Sequence, residues 1–185
     1  MADIPVRRTR SKRIYRGRVI NVSLDRFRTA DGRSFLRETI QHPVSVAILP
    51  LTREGQILLI RQYRHAVGRY LYEIPAGTTE PGEPPLACAK RELIEETGYT
   101  AKRWKRICRF YPAPGISTER MVLYTAAGAT PKGSGRPGTL RLDEDEIISL
   151  RVTPPARALR MVRRNQIVDA KSIIGLLWGL GRIRW

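Results

Sequence analysis

Glu95 and Glu96 stand three and four residues after Glu92, in a stretch that reads as helix, so the three share one face. Like charges at this spacing destabilise an isolated helix by roughly 0.2–0.5 kcal/mol per pair. Two carboxylates about 4 Å apart in an effective dielectric near 20 repel by about 4 kcal/mol. A hard divalent cation reverses that sign, because Mg²⁺ prefers carboxylate and water oxygens. The ordinary alternative is a solvated charged face, and it accounts for Glu95, which has Arg91 four residues before it. At helical spacing Glu92 has Cys88, Ala89, Glu95 and Glu96, and Glu96 has Glu92, Leu93, Tyr99 and Thr100. Neither is given a basic neighbour in a chain with 34 Lys+Arg against 17 Asp+Glu. Glu92 and Glu96 are therefore the first candidates for metal ligands.

The elements around them read as one α/β domain of ordinary size behind a basic N-terminal region. At 185 residues and 42% apolar content the chain can bury a core. No apolar run approaches the length of a membrane span, no apolar segment of signal-peptide length follows Met1, and two cysteines, Cys88 and Cys108, make neither a disulfide framework nor a zinc site. A cytoplasmic location is the expectation, with both cysteines as ordinary buried residues. The net charge of +17 suits polyanionic partners, from phosphate esters to nucleic acid.

Residues 19–29 and 34–40 flank the turn Ala30-Asp31-Gly32-Arg33, a strong hairpin signal, preceded by a basic arm. Pro43 marks a boundary, giving a region 1–43 and a domain 44–185. Residues 44–51 and 56–63 read as buried strands, 77–82 as a loop, and 84–97 as a helix with Pro84 and Pro85 at its start and Gly98 at its stop. Strand patterns return at 104–111, 121–127 and 146–152, with a Gly/Pro-rich loop at 128–138, and helices close the chain at 155–164 and 169–180.

The segment from Gly77 to Tyr99 resembles the Nudix box, GX5EX7REUXEEXGU with U a bulky apolar residue. Gly77, Glu83, Arg91, Glu92, Leu93, Glu95, Glu96 and Gly98 fall in place, and Tyr99 departs from the usual aliphatic residue. The resemblance implies an α/β/α sandwich with a mixed central sheet, and hydrolysis of a nucleoside diphosphate linked to another group. It implies Mg²⁺, with Mn²⁺ as a substitute, held by Glu92, Glu96 and the Ala76 carbonyl with Glu95 nearby. Glu83 and Arg91 would brace the loop against the helix, and Gly77 and Gly98 would supply backbone angles other residues resist.

The likeness extends beyond the box. Arg61-Gln62-Tyr63-Arg64 and Tyr72-Glu73-Ile74-Pro75-Ala76 resemble the approach to the box in ADP-ribose pyrophosphatases, which implies a substrate contact for Arg64 and either a substrate contact or a loop-fixing role for Glu73. Pro114, sixteen residues after Gly98, is associated with ADP-ribose specificity. The acidic run Asp143 to Glu146 implies a water-orienting glutamate, Glu146 first and Glu144 second. Residues 167–174 resemble the family's last helix. Members of this type form homodimers that exchange N-terminal hairpins. The expected activity is hydrolysis of ADP-ribose to AMP and ribose 5-phosphate, or of another nucleotide sugar such as GDP-mannose. The basic arm keeps two further readings in view: removal of pyrophosphate from RNA 5′ ends, and a nucleic-acid-binding protein without turnover.

Overall fold

Alternating apolar residues in the strand at 44–52 send Ala47 and Leu49 to one side of a sheet and Val46 and Ile48 to the other, and all four are fully buried. A strand buried on both faces needs a layer on each side. The structure, a computed structural model, describes residues 3–133 and 148–181. Its strands are β1 (Val6–Arg16), β2 (Asn21–Thr29), β3 (Ser34–Gln41), β4 (Val44–Thr52), β5 (Ile57–Arg64), β6 (Arg69–Glu73), β7 (Ala76–Thr78), β8 (Tyr99–Thr100), β9 (Arg103–Phe110), β10 (Arg120–Pro131) and β11 (Ile148–Thr153). Its helices are α1 (Pro85–Thr97), α2 (Pro155–Arg163) and α3 (Ala170–Gly179).

The larger sheet runs β11-β5-β4-β10-β8, with β6 on β5, β7 on β4 and β9 on β10. On one face Ala47, Leu49, Ile57, Leu59, Met121 and Leu123 meet Ala158 and Met161 of α2 and Leu176 of α3. α1 packs on β5, β7, β8 and β11. The fold is thus the mixed-sheet α/β arrangement expected. Gly175 and Gly179 set α3 close to the sheet: a Cβ there would lie 2.7 Å from Ile74 Cδ1 and 2.4 Å from Leu49 Cδ2 respectively.

Four strands were not legible in the sequence. β6 forms a hairpin with β5 across Gly68, whose φ of 65° closes the turn. β7 takes the first two residues of the expected 77–82 loop into the sheet through Val46↔Gly77 and Ser45↔Thr78. β8 pairs with Thr130 and Pro131, which carries β10 past residue 128, where a loop is expected. β1 is the basic arm itself, antiparallel to β2.

The chain folds as two compact units, Met1–Val44 with Tyr111–Arg120, and Ser45–Phe110 with Met121–Trp185. The first holds the sheet β1-β2-β3, to which residues 111–120 are tied by Ile40 N–H to Ile116 O (2.8 Å) and Thr118 N–H to Ile40 O (2.9 Å). The second holds the larger sheet and all three helices. No helix among the described residues is long and apolar enough to cross a membrane.

Candidate active site

The box is a short strand, a loop and a helix drawn together by one guanidinium. Arg91 on α1 reaches Glu83 in the loop with two bonds, Nε to Oε1 and Nη2 to Oε2, both 3.0 Å. Its Nη2 also donates to Thr78 O at 3.2 Å, and its Nη1 to Glu95 Oε2 at 2.9 Å. Paired so, Glu83 is held at a pKa of about 2, well below the ordinary carboxylate range, with the Arg91 hydrogen bonds as the main cause.

Arg91 Nη1 also contacts Glu92 Oε1 at 2.8 Å, which corrects the sequence reading that Glu92 has no basic neighbour. Adjacent helical residues point in different directions, but a guanidinium on a long stem folds back to bond both Glu92 and Glu95. One cation therefore serves three carboxylates and leaves the cluster of Glu83, Glu92, Glu95 and Glu96 strongly anionic.

Glu92 and Glu96 are tied to the strand that enters the box. Glu96 is 2% exposed, and its Oε2 accepts the Ala76 N–H at 2.9 Å. Glu92 lies against Gly77, where a Cβ would fall 1.9 Å from Oε1 and 2.0 Å from Cδ. This corrects the reason for Gly77: the residue keeps space for a carboxylate and has no left-handed backbone angle, whereas Gly98, with φ 72°, does adopt that conformation at the C-cap of α1. Cys88, buried on the same helix, receives a contact from Arg91 Nη2 at 3.4 Å. Its thiol is pushed up to about 12 by burial, with the Glu92 carboxylate adding to the shift.

Among the described residues no group of three or more His, Cys, Asp or Glu side chains forms a ready-made metal cage. The donor set nonetheless fits a hard cation that keeps most of its waters. Mg²⁺ is commonly held by one or two carboxylates plus substrate phosphates, and the buried Glu96 carboxylate together with that of Glu92, in a space only glycine leaves open, meets that requirement.

A second cluster centres on Glu73, 1% exposed, at the end of β6. Arg64 grips it with two bonds, Nε to Oε1 at 2.8 Å and Nη2 to Oε2 at 2.7 Å, and Lys171 Nζ on α3 bonds the same Oε2. Burial alone would raise the Glu73 pKa, but the two cations hold it below its ordinary value. The Arg64 guanidinium expected to face substrate is thus engaged with Glu73, its side chain 37% exposed. Sequence reasoning missed Lys171, Asp169 and Ser172. Asp169 caps α3 by accepting Ser172 N–H at 3.0 Å and pairs with Lys171 at 3.0 Å, while Ser172 Oγ accepts Ile74 N–H at 2.8 Å. The signal available was the cap pattern Asp169-x-x-Ser172 and a lysine inside an apolar run. Gln62, 5% exposed, has an Oε1 without a hydrogen-bond partner among the described residues.

Pro114 is exposed, in the 111–120 segment that belongs with the N-terminal sheet, whereas Arg64, Glu73 and the box belong to the other unit. Glu144 and Glu146 lie outside the described residues.

The NUDIX domain family matches residues 41–173, most of the chain and all of the box, and the protein belongs to that family. It is 37% identical over 161 residues to an ADP-ribose pyrophosphatase of Bacillus subtilis (strain 168), covering 87% of this chain and 85% of that one. It is 35% identical over 178 residues to an ADP-ribose pyrophosphatase of Mycobacterium tuberculosis (strain ATCC 25618 / H37Rv), covering 96% and 84%. A crystal structure of an ADP compounds hydrolase matches the fold with a TM-score of 0.80 at 22% identity, over 99% of this chain and 100% of the other. Hydrolases of this family act on phosphoric anhydrides and generally need a divalent metal.

Proposed function

We propose that the protein hydrolyses the diphosphate of ADP-ribose to AMP and ribose 5-phosphate, with Mg²⁺ as its metal and the cytoplasm as its location. The observation that carries this reading is Glu96 bonded to the Ala76 N–H and Glu92 lying against Gly77, with a box complete at every charged position. Relatives whose names specify ADP-ribose pyrophosphatase, at 37% and 35% identity, favour ADP-ribose within the nucleotide-sugar class.

Glu92, Glu96 and the Ala76 carbonyl would hold the metal, with Glu95 beside them. Bound there, Mg²⁺ would polarise the diphosphate, lower the pKa of water and stabilise the departing phosphate. Water adds to one phosphorus, the bridging P–O bond breaks, and the other phosphate leaves with the ribose or the nucleoside. Glu146, with Glu144 as the alternative, is assigned to orient or deprotonate that water. Arg91 and Glu83 hold the loop to the helix, so the two ligands keep their spacing as substrate arrives. Arg64 has a partly exposed guanidinium suited to phosphate oxygens, and Glu73 holds it in place. Pro114 is assigned to substrate discrimination. Two copies are proposed to associate by exchanging N-terminal hairpins.

The test is a substrate panel with Mg²⁺ covering ADP-ribose, GDP-mannose, dinucleotides and 5′-triphosphate RNA, with AMP, GMP and orthophosphate as readouts. AMP from ADP-ribose is the expected product, and rapid turnover of the RNA alone would overturn the reading. Losing a metal ligand forfeits several kcal/mol of transition-state stabilisation, so Glu96→Gln should lower kcat by about 100-fold or more. Near-normal rates in a folded Glu96→Gln variant would remove the metal assignment.

A further inference from the structure

We propose that one face of the N-terminal sheet docks the sugar–phosphate backbone of a nucleic acid, a role that does not depend on the hydrolase reading. In the β1–β2 ladder Arg7 lies directly opposite Arg28, and Arg10 directly opposite Arg26. Residues opposite each other in a ladder share a face with Cβ atoms about 4.5–5.5 Å apart, and like charges so placed destabilise the pair. Lys12, opposite Leu24, extends the same face. All five cations are exposed, and none makes an ion pair among the described residues. The acid on this face within the ladder is Glu38, across from Leu24 on β3.

The other face of the same sheet shows what a self-sufficient arrangement looks like. Asp25, 1% exposed, pairs with Arg8 at 3.4 Å and accepts a bond from Ser11. Phe27 stacks on Phe35 with ring centroids 5.7 Å apart, and the Arg37 guanidinium lies 4.8 Å from the Phe35 ring centre. That face supplies partners for Arg8 and Arg37, while the Arg7–Arg28 and Arg10–Arg26 pairs repel each other in the isolated chain.

A ligand with a row of negative charges converts the repulsion into attraction. Two adjacent strands set the arginines in two parallel rows at fixed spacing, and each planar guanidinium can grip a phosphate through two N–H groups. A phosphate backbone supplies anions in a row, which a single small anion does not. An anionic membrane is the less suitable partner, since surface binding of that kind needs an apolar stripe to insert, and on this face the exposed Tyr15 and Leu36 stand on opposite outer strands with the Lys12, Leu24 and Glu38 row between them. The stacked phenylalanines belong to the opposite face, so binding is through the backbone and independent of sequence.

The test is fluorescence anisotropy of the full chain with a labelled duplex of about 20 base pairs in salt from about 50 to about 200 mM. Four phosphate contacts predict a fall in affinity of about 100-fold over that range. Arg26→Gln/Arg28→Gln should weaken binding more than about 10-fold at the lower salt and reduce the slope of log affinity against log salt by about 2. Arg7→Gln/Arg10→Gln on the neighbouring strand should do the same, and both variants should melt no lower than the parent because a repulsion has been removed. Arg157→Gln/Arg160→Gln, the same change of charge placed on α2, should have a far smaller effect. Equal losses in all three variants would mean that overall charge alone is responsible and would overturn the proposal. So would failure of the parent to bind duplex at about 50 mM salt, or binding to phosphatidylserine vesicles with the duplex ignored.

Discussion

At the scale of single residues, the box depends on one missing side chain and one over-committed cation. Gly77→Ala places a methyl group 1.9 Å from Glu92 Oε1, so the carboxylate must leave its seat. Such overpacking costs about 1–3 kcal/mol. The expected outcome is a thermal midpoint a few degrees lower with most hydrolysis lost, and Gly77→Ala/Glu92→Ala should regain stability without regaining activity. Full activity in Gly77→Ala would show that Glu92 works from another position. Glu83 gives a prediction in pH. Its folded pKa, about 2, lies below the ordinary 4.5, so between those values the unfolded chain binds more protons and stability rises with pH. The Arg91–Glu83 contribution is therefore present above pH 4.5 and is lost as pH falls towards about 2. In Glu83→Gln the melting temperature should fall less steeply over that acid range, and parallel curves for parent and variant would contradict the pairing.

At the scale of elements, the second cluster ties β5, β6 and α3 together through Glu73. A hydrogen bond to a charged group is worth about 1.5–3 kcal/mol. Lys171→Met should therefore lower the urea-unfolding free energy by about 2 kcal/mol, with part recovered in Lys171→Met/Glu73→Gln. No change in Lys171→Met would mean that Arg64 alone satisfies Glu73. These elements also mark how far the sequence could be read. α1 was legible from both ends, because Pro84 and Pro85 suit a helix start and Gly98 a left-handed stop, and β4 and β5 showed as apolar runs. β7 and β8, with three and two residues, are too short to show a period and exist because β4 and β10 offer them edges. The bond from Lys171 to Glu73 spans 98 residues, so no local pattern reveals it. The Arg91–Glu92 contact was missed because helical spacing describes where Cβ atoms lie and ignores how far a guanidinium can bend back.

At the scale of the whole molecule, the net charge of +17 is unevenly used: acids are spent on the box and the Glu73 cluster, while the N-terminal sheet carries arginines in excess. Every residue of β1 is exposed in the single chain, although it is an 11-residue strand. Long exposed edge strands invite further pairing, which accords with the proposed exchange of hairpins between two copies. Sedimentation equilibrium of the full chain should return twice the chain mass at micromolar concentration, and a monomer there would remove the exchange. The 111–120 segment that carries Pro114 is hydrogen-bonded to β3, so the residue assigned to substrate choice belongs structurally with the sheet assigned to association.

Cys88 gives the chain an internal clock. Thiol reagents attack the thiolate, and a sulfur enclosed beneath Arg91, with its proton held to a pKa of about 12, presents almost none at neutral pH. Alkylation of this cysteine is therefore expected to be slow at neutral pH and to accelerate when α1 opens, behind the faster labelling of the half-buried Cys108, so its rate reports how often that helix opens. The protein carries that reporter natively, one turn from Glu92, with no engineered probe to disturb what is being timed.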